Sequence, residues 1–179
     1  VNEISYGSAL LACARGCAWD DVEGLLSEMH DTSSEVVITQ RMLMSVMSAA
    51  RRAVIDSLGE SQAIEDACKA AMNLIENWAQ VAKANEGLYS LAMDLMLEAG
   101  YDDLVQQTFQ TMLDDGVTPG KGSLSLAMRA INRAHDLEGL CKLLASARRN
   151  RLATTQMYNK TITLADQMGR SDIAVALLV

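Results

Sequence analysis

The residues best suited to nucleophilic, proton-transfer or metal chemistry in this 179-residue chain are two histidines and four cysteines. Cys13 and Cys17 stand one helical turn apart, and neither His30 nor His135 lies close to them in sequence. A metal site needs more ligands than that spacing supplies, so Cys13, Cys17, Cys68 and Cys141 read as reduced, buried small residues of a reducing compartment. His30 and His135 read as turn or helix-end residues rather than proton carriers. Asp20-Asp21, Asp102-Asp103 and Asp114-Asp115 resemble acid–base carboxylate pairs, yet each falls at a helix start or end, where capping and solvation account for it. Pro119-Gly120-Lys121-Gly122-Ser123 reads as a turn and not as a phosphate-cradling loop, and nothing resembles a nucleophile elbow or a zinc-binding helix. The chemistry on offer is that of a binding surface, with no catalytic residue, metal, cofactor or small-molecule substrate expected.

The elements that would carry such a surface are helices. Half of the chain is apolar, but it holds one Phe and one Pro, and Ala, Leu and Met supply the hydrophobic content. These are good helix formers, and a single proline leaves long stretches free of the strongest helix breaker. The eleven methionines read as adaptable packing in helix seams, with a Met-lined peptide groove as the alternative. No run approaches the ~18 apolar residues of a membrane span, so no membrane insertion is expected. The chain opens without Met and stops within a helical pattern from Ile173 to Val179, and so reads as a piece of a longer polypeptide.

Self-comparison shows a repeat. Leu88, Leu91, Ala92, Leu95, Met96 and Ala99 form one helical stripe, which Gly100 ends. Asp102 or Asp103 can cap the next helix, whose stripe is Leu104, Val105, Thr108, Phe109 and Met112 before Asp114 to Gly120 breaks it. Leu124, Ala127, Met128, Ile131 and Ala134 repeat the first stripe, and Leu137, Leu140, Cys141 and Leu144 the second after a cap at Asp136. Tyr89 to Leu124 spans 35 residues and Leu124 to Tyr158 spans 34, while Tyr6 to Met29 and Tyr89 to Met112 are both 23 apart. The implied array is units 3–37, 38–85, 86–120, 121–154 and an incomplete 155–179. The second unit has about a dozen residues more than the rest, assigned to the polar connection from Asp56 to Gln62. Trp78, late in its second helix, is expected to be buried against a neighbouring unit.

Ile4-Ser5-Tyr6-Gly7-Ser8-Ala9-Leu10-Leu11 with Leu25-Leu26-Ser27-Glu28-Met29 resembles the pentatricopeptide repeat family. Gly87-Leu88-Tyr89-Ser90, Met112-Leu113-Asp114-Asp115-Gly116-Val117-Thr118-Pro119 and Tyr158-Asn159-Lys160-Thr161-Ile162 carry the same resemblance along nearly the whole chain. It implies an all-α, right-handed superhelical solenoid of helix–turn–helix repeats. It also implies a mitochondrial or plastid protein that binds single-stranded RNA in transcript processing or stabilisation, each unit addressing one base through two or three side chains. By this resemblance the base-reading positions are Gly7 with Val37, Ser90 with Gly120, Ser125 with Thr154, and Asn159. Of these, Ser125 with Thr154 and Asn159 are the polar readers.

Charge is distributed unevenly. The acidic total of −8 argues against a generic polyanion binder. The first helices, taken as residues 3–16, 38–55, 86–99, 121–134 and 155–168, nevertheless hold eight basic and five acidic side chains. That leaves a surplus of acid on the second helices and loops. Arg41, Arg129, Arg133 and Lys160 are the expected phosphate contacts, with Glu86, Asp94 and Glu98 opposing them locally. A protein-interaction scaffold within a larger assembly, using the concave surface or the acidic side, is the competing expectation.

Overall fold

The computed structural model describes residues 3–31, 37–56 and 61–177. It is an α-solenoid of helical hairpins. In chain order the helices are α1 (Glu3–Arg15), α2 (Trp19–Asp31), α3 (Gln40–Asp56), α4 (Ser61–Asn73), α5 (Glu86–Glu98), α6 (Asp102–Asp114), α7 (Lys121–Arg133), α8 (Leu137–Arg149), α9 (Thr155–Gln167) and α10 (Ser171–Ala176). A π-helical turn, Leu74–Trp78, continues α4. Each odd helix packs against the even helix that follows it, and α1, α3, α5, α7 and α9 lie side by side in that order. One apolar seam runs along the stack instead of a closed centre.

The hairpins share one way of turning. Residues Cys17, Gly100, His135 and Gly169, each just past an odd helix, have positive φ. The amide after each reaches back five residues: Tyr101 N donates to the Met96 carbonyl at 2.9 Å, and Asp136 N and Arg170 N do the same to Ile131 and Ala165 at 3.2 and 2.8 Å. This closure satisfies helix-end carbonyls that would otherwise lack donors. Gly116, Lys83 and Arg151 repeat it at the ends of even helices. Glycine meets the backbone requirement at three of these seven sites, and an L side chain bears it at the other four.

The middle of the stack is buried on most sides. In α5, Leu88, Ala92, Leu95 and Met96 are covered as their spacing predicts, but so are Tyr89, Met93 and Leu97, because α3, α4, α6 and α7 all touch this helix. The buried Thr108 hydroxyl of α6 donates to the sulfurs of Met96 and Met72 at 3.3 and 3.5 Å, so methionine serves there as both filler and acceptor.

The second hairpin is longer for a different reason from the one expected. Its α3 has 17 residues where α1, α5, α7 and α9 have 13, and the π turn adds five beyond α4. Most of the additional length is therefore helical; residues 57–60 of the connection lie outside the described residues. Trp78 is buried, with its indole N–H donating to Glu23 of α2 at 3.2 Å and its ring meeting His30 edge-on at 5.7 Å. Of the cysteines, Cys68 is buried and its thiol is pushed up to about 11 by desolvation. The other three depart from the expectation of burial: Cys13 and Cys141 are half-buried, and Cys17 is exposed, because it occupies the left-handed turn position after α1.

Candidate nucleic-acid interface

The odd helices form a wall, and the residue just before each helix decides what its first turn shows to solvent. Asn85 caps α5: its side-chain oxygen accepts from Gly87 N at 2.9 Å and from Gln40 Nε2 of α3 at 2.6 Å. Thr154 caps α9 by accepting from Met157 N at 3.3 Å. Gly120 has no side chain to do this for α7, and Glu86 does it from the neighbouring helix. One carboxylate oxygen of Glu86 accepts from Gly120 N at 3.0 Å, Ser123 N at 3.2 Å and the Ser123 hydroxyl at 2.9 Å. An anion at a helix N-terminus is favoured by the exposed amides and the helix dipole. A Cβ on residue 120 would lie 2.5 Å from the other Glu86 oxygen, so the carboxylate occupies the space of a side chain there. The unit-closing positions 120 and 154, which the resemblance marks as base readers, are thus also helix caps, and Asn, Asp and Thr are preferred at caps whether or not RNA is read.

The remaining candidate readers differ in access. Gly7 is half-buried on α1, with Met42 of α3 at van der Waals distance from where its Cβ would stand. Val37 is 68% exposed. The Ser90 hydroxyl is buried without a hydrogen-bond partner, beside Gly122 of α7. Ser125 is half-buried and Asn159 is exposed, so these two keep polar side chains at the surface.

The basic candidates divide in the same way. Arg41 and Gly7 line one groove of about 470 Å³ between α1 and α3, together with the hydroxyls of Ser8 and Ser45. The depression beside it is lined by Arg15 and Arg52, with Asp56 as its carboxylate. Arg15, Arg41 and Arg52 are exposed and form no ion pair among the described residues. Of these three the sequence points to Arg41 as a phosphate contact, and Arg15 and Arg52 are legible in it only as first-helix cations. Arg129 is exposed and Lys160 half-buried, also without an ion pair among the described residues. Arg133 is occupied: it donates to the Leu97 carbonyl at the end of α5 at 3.1 Å and lies 3.4 Å from Asp102. Two of the opposing acids are occupied as well, Asp94 by Arg51 at 2.7 Å and Glu86 by the amides of α7. Asp102 was a candidate cap for α6, but Tyr101 holds the cap position and no side chain caps that helix.

Among the described residues no group of three or more His, Cys, Asp and Glu is placed to hold a metal, and no helix is long and apolar enough to cross a membrane. The fold and wall together define a helical-repeat solenoid of pentatricopeptide-like form. No family model matches the sequence, and no curated protein matches it either. Among solved structures the chain is similar to nuclear proteinaceous RNase P 2 (PRORP2) from A. thaliana, with a TM-score of 0.66 at 14% identity. The match covers 98% of this chain and 37% of that one, so the chain spans little more than a third of its neighbour. At that identity the likeness is one of fold.

Proposed function

We propose that this solenoid binds single-stranded RNA without catalysing a reaction, and that it does so mainly through the phosphate backbone. The observation that carries this reading is the row of Arg41, Arg15 and Arg52 along two adjoining depressions between α1 and α3, all three exposed and forming no ion pair among the described residues. Phosphates displace counterions from such cations, which gives affinity without sequence information. Arg129 and Lys160 extend the basic surface along the wall beyond α5. The solved structure of similar fold is named as an RNase P, an RNA-directed activity, which agrees with an RNA ligand. The mitochondrial or plastid setting rests on the sequence resemblance, since the neighbour is named as nuclear. Base discrimination is weak in this reading, because Glu86 fills the space beside Gly120, the Ser90 hydroxyl is covered, and Thr154 is spent on a cap.

Titrating fluorescent oligonucleotides of U, A and C against salt tests this. Affinity is expected to fall steeply with salt and to differ little among the three bases. Arg41→Glu with Arg52→Glu should weaken binding by at least roughly tenfold and flatten the salt slope by about 1.4, the value for two phosphates on a single strand. Helical content should be unchanged. Absence of binding at low salt, or an unchanged slope in the double variant, would contradict the reading.

A further inference from the structure

We infer that the opposite side of the second hairpin docks a basic polypeptide segment of a partner protein, seated in the groove between α4 and α6. Unlike the RNA wall, this groove has an apolar lining. Cys68 and Met72 of α4 face Tyr101 and Leu104 across a space of about 870 Å³. Those four side chains offer a slot for one or two apolar anchors, as in the buried centre of a protein interface.

The charges around the slot name the occupant. Glu65, Asp102 and Asp103 line this groove, and Asp20, Asp21, Glu23 and Asp66 line the one on the other flank of α4. Against these seven carboxylates the described residues lining the two grooves include one cation, Lys69, which is already paired with Glu65 at 2.7 Å. Arg133 takes up Asp102, and Asp20, Asp21 and Asp103 remain exposed. Such a field repels nucleic acid and draws in lysines and arginines. The complementary ligand is a short segment with apolar side chains at its centre and basic residues on both sides. The flexible thioether of Met72 suits a slot that must accept an anchor. Because the wall and this groove use different helices and opposite charge, one chain can hold RNA and a basic partner at once.

A fluorescein-labelled peptide, KRKLFKRK, and its counterpart KRKSSKRK test the inference against the whole chain with carbon-labelled methionine methyls. The first peptide should bind saturably at physiological salt and move the Met72 methyl signal while leaving Met44, on the wall side, in place. Replacing its Leu-Phe by Ser-Ser should cost roughly fivefold in affinity, which reads the apolar slot with no change to the protein. Asp66→Lys with Asp103→Lys should cost roughly tenfold. Equal binding of the two peptides, an unmoved Met72 signal, insensitivity to the two reversals, or displacement of the peptide by oligouridylate would overturn it. These outcomes are independent of whether the wall binds RNA.

Discussion

The hairpin that begins at Gln40 and the hairpin that begins at Glu86 put the same kind of helix into the wall and finish it differently. At α3, Arg41 and Arg52 form no ion pair among the described residues and line two adjoining depressions shared with α1, while Arg51 neutralises Asp94 of the next helix. At α5 the first residue is turned inward: Glu86 caps α7 and so fills the site that a side chain on residue 120 would occupy. Both helices send their first side chain to the next helix's cap, since Gln40 reaches Asn85 as Glu86 reaches Gly120. One position therefore stitches neighbouring hairpins, and whether the surface above it is open depends on what the cap residue already provides. An Asn cap needs only one further bond; a glycine cap calls for a whole carboxylate.

The contrast can be broken at several points. The largest effect should come from Trp78→Ala. It removes the buried indole through which the long hairpin meets α2, at a cost of about 3 kcal/mol or more by urea unfolding. A cost under ~1 kcal/mol would mean that the π turn is not a packing anchor. Glu86→Ala should cost about 1–2 kcal/mol, as for loss of a cap, and Glu86→Gln clearly less, because the amide oxygen still accepts from Gly120 and Ser123. If Gln costs as much as Ala, the charge and not the hydrogen bonding holds the junction.

The smallest effect is alkaline. Burial, and then its hydrogen bond to Asp115, holds the Tyr89 hydroxyl well above the usual tyrosine range, and the bond to Glu28 raises Tyr6. A folded value raised above the unfolded one means stability that is complete below about pH 10 and declines as pH rises past it, while the unfolded phenol ionises and the folded one does not. Thermal unfolding between pH 10 and 11.5 should therefore fall more gently in Tyr89→Phe than in the parent chain. Parallel curves would show that Tyr89 contributes nothing to the alkaline loss.

What the sequence made legible is local. Stripes such as Leu88-Ala92-Leu95, the stop at Gly100 and the cap at Asp136, which accepts from Gly139 N at 2.9 Å, depend on residues within one or two turns of each other. The contacts that decide the surface lie a full repeat apart. Glu86 is 34 residues from Gly120, and Arg133 is 36 from Leu97, so sequence position presents both as wall charges although each is directed at a neighbouring helix end. The π turn is legible only as helix: apolar spacing carries the second helix of this unit through Trp78, but it does not distinguish the wider coil from an α-turn or say whether the unit's additional residues lie in helix or connection. Asp102 shows the same limit, since its pairing with Arg133 of α7 competes with the local cap that its position suggests.

In the proposed function RNA lies over the depressions between α1 and α3, while the α5–α7 junction is shut by its own carboxylate. Photocrosslinking of 4-thiouridine RNA to the whole chain, with the attached peptides identified by mass spectrometry, tests it most directly. Adducts are expected on α1 and α3 around Ser8, Arg41 and Ser45, and few on Glu86 to Gly122. Adducts concentrated at that junction, or on α4 and α6 beside Asp66 and Asp103, would contradict it.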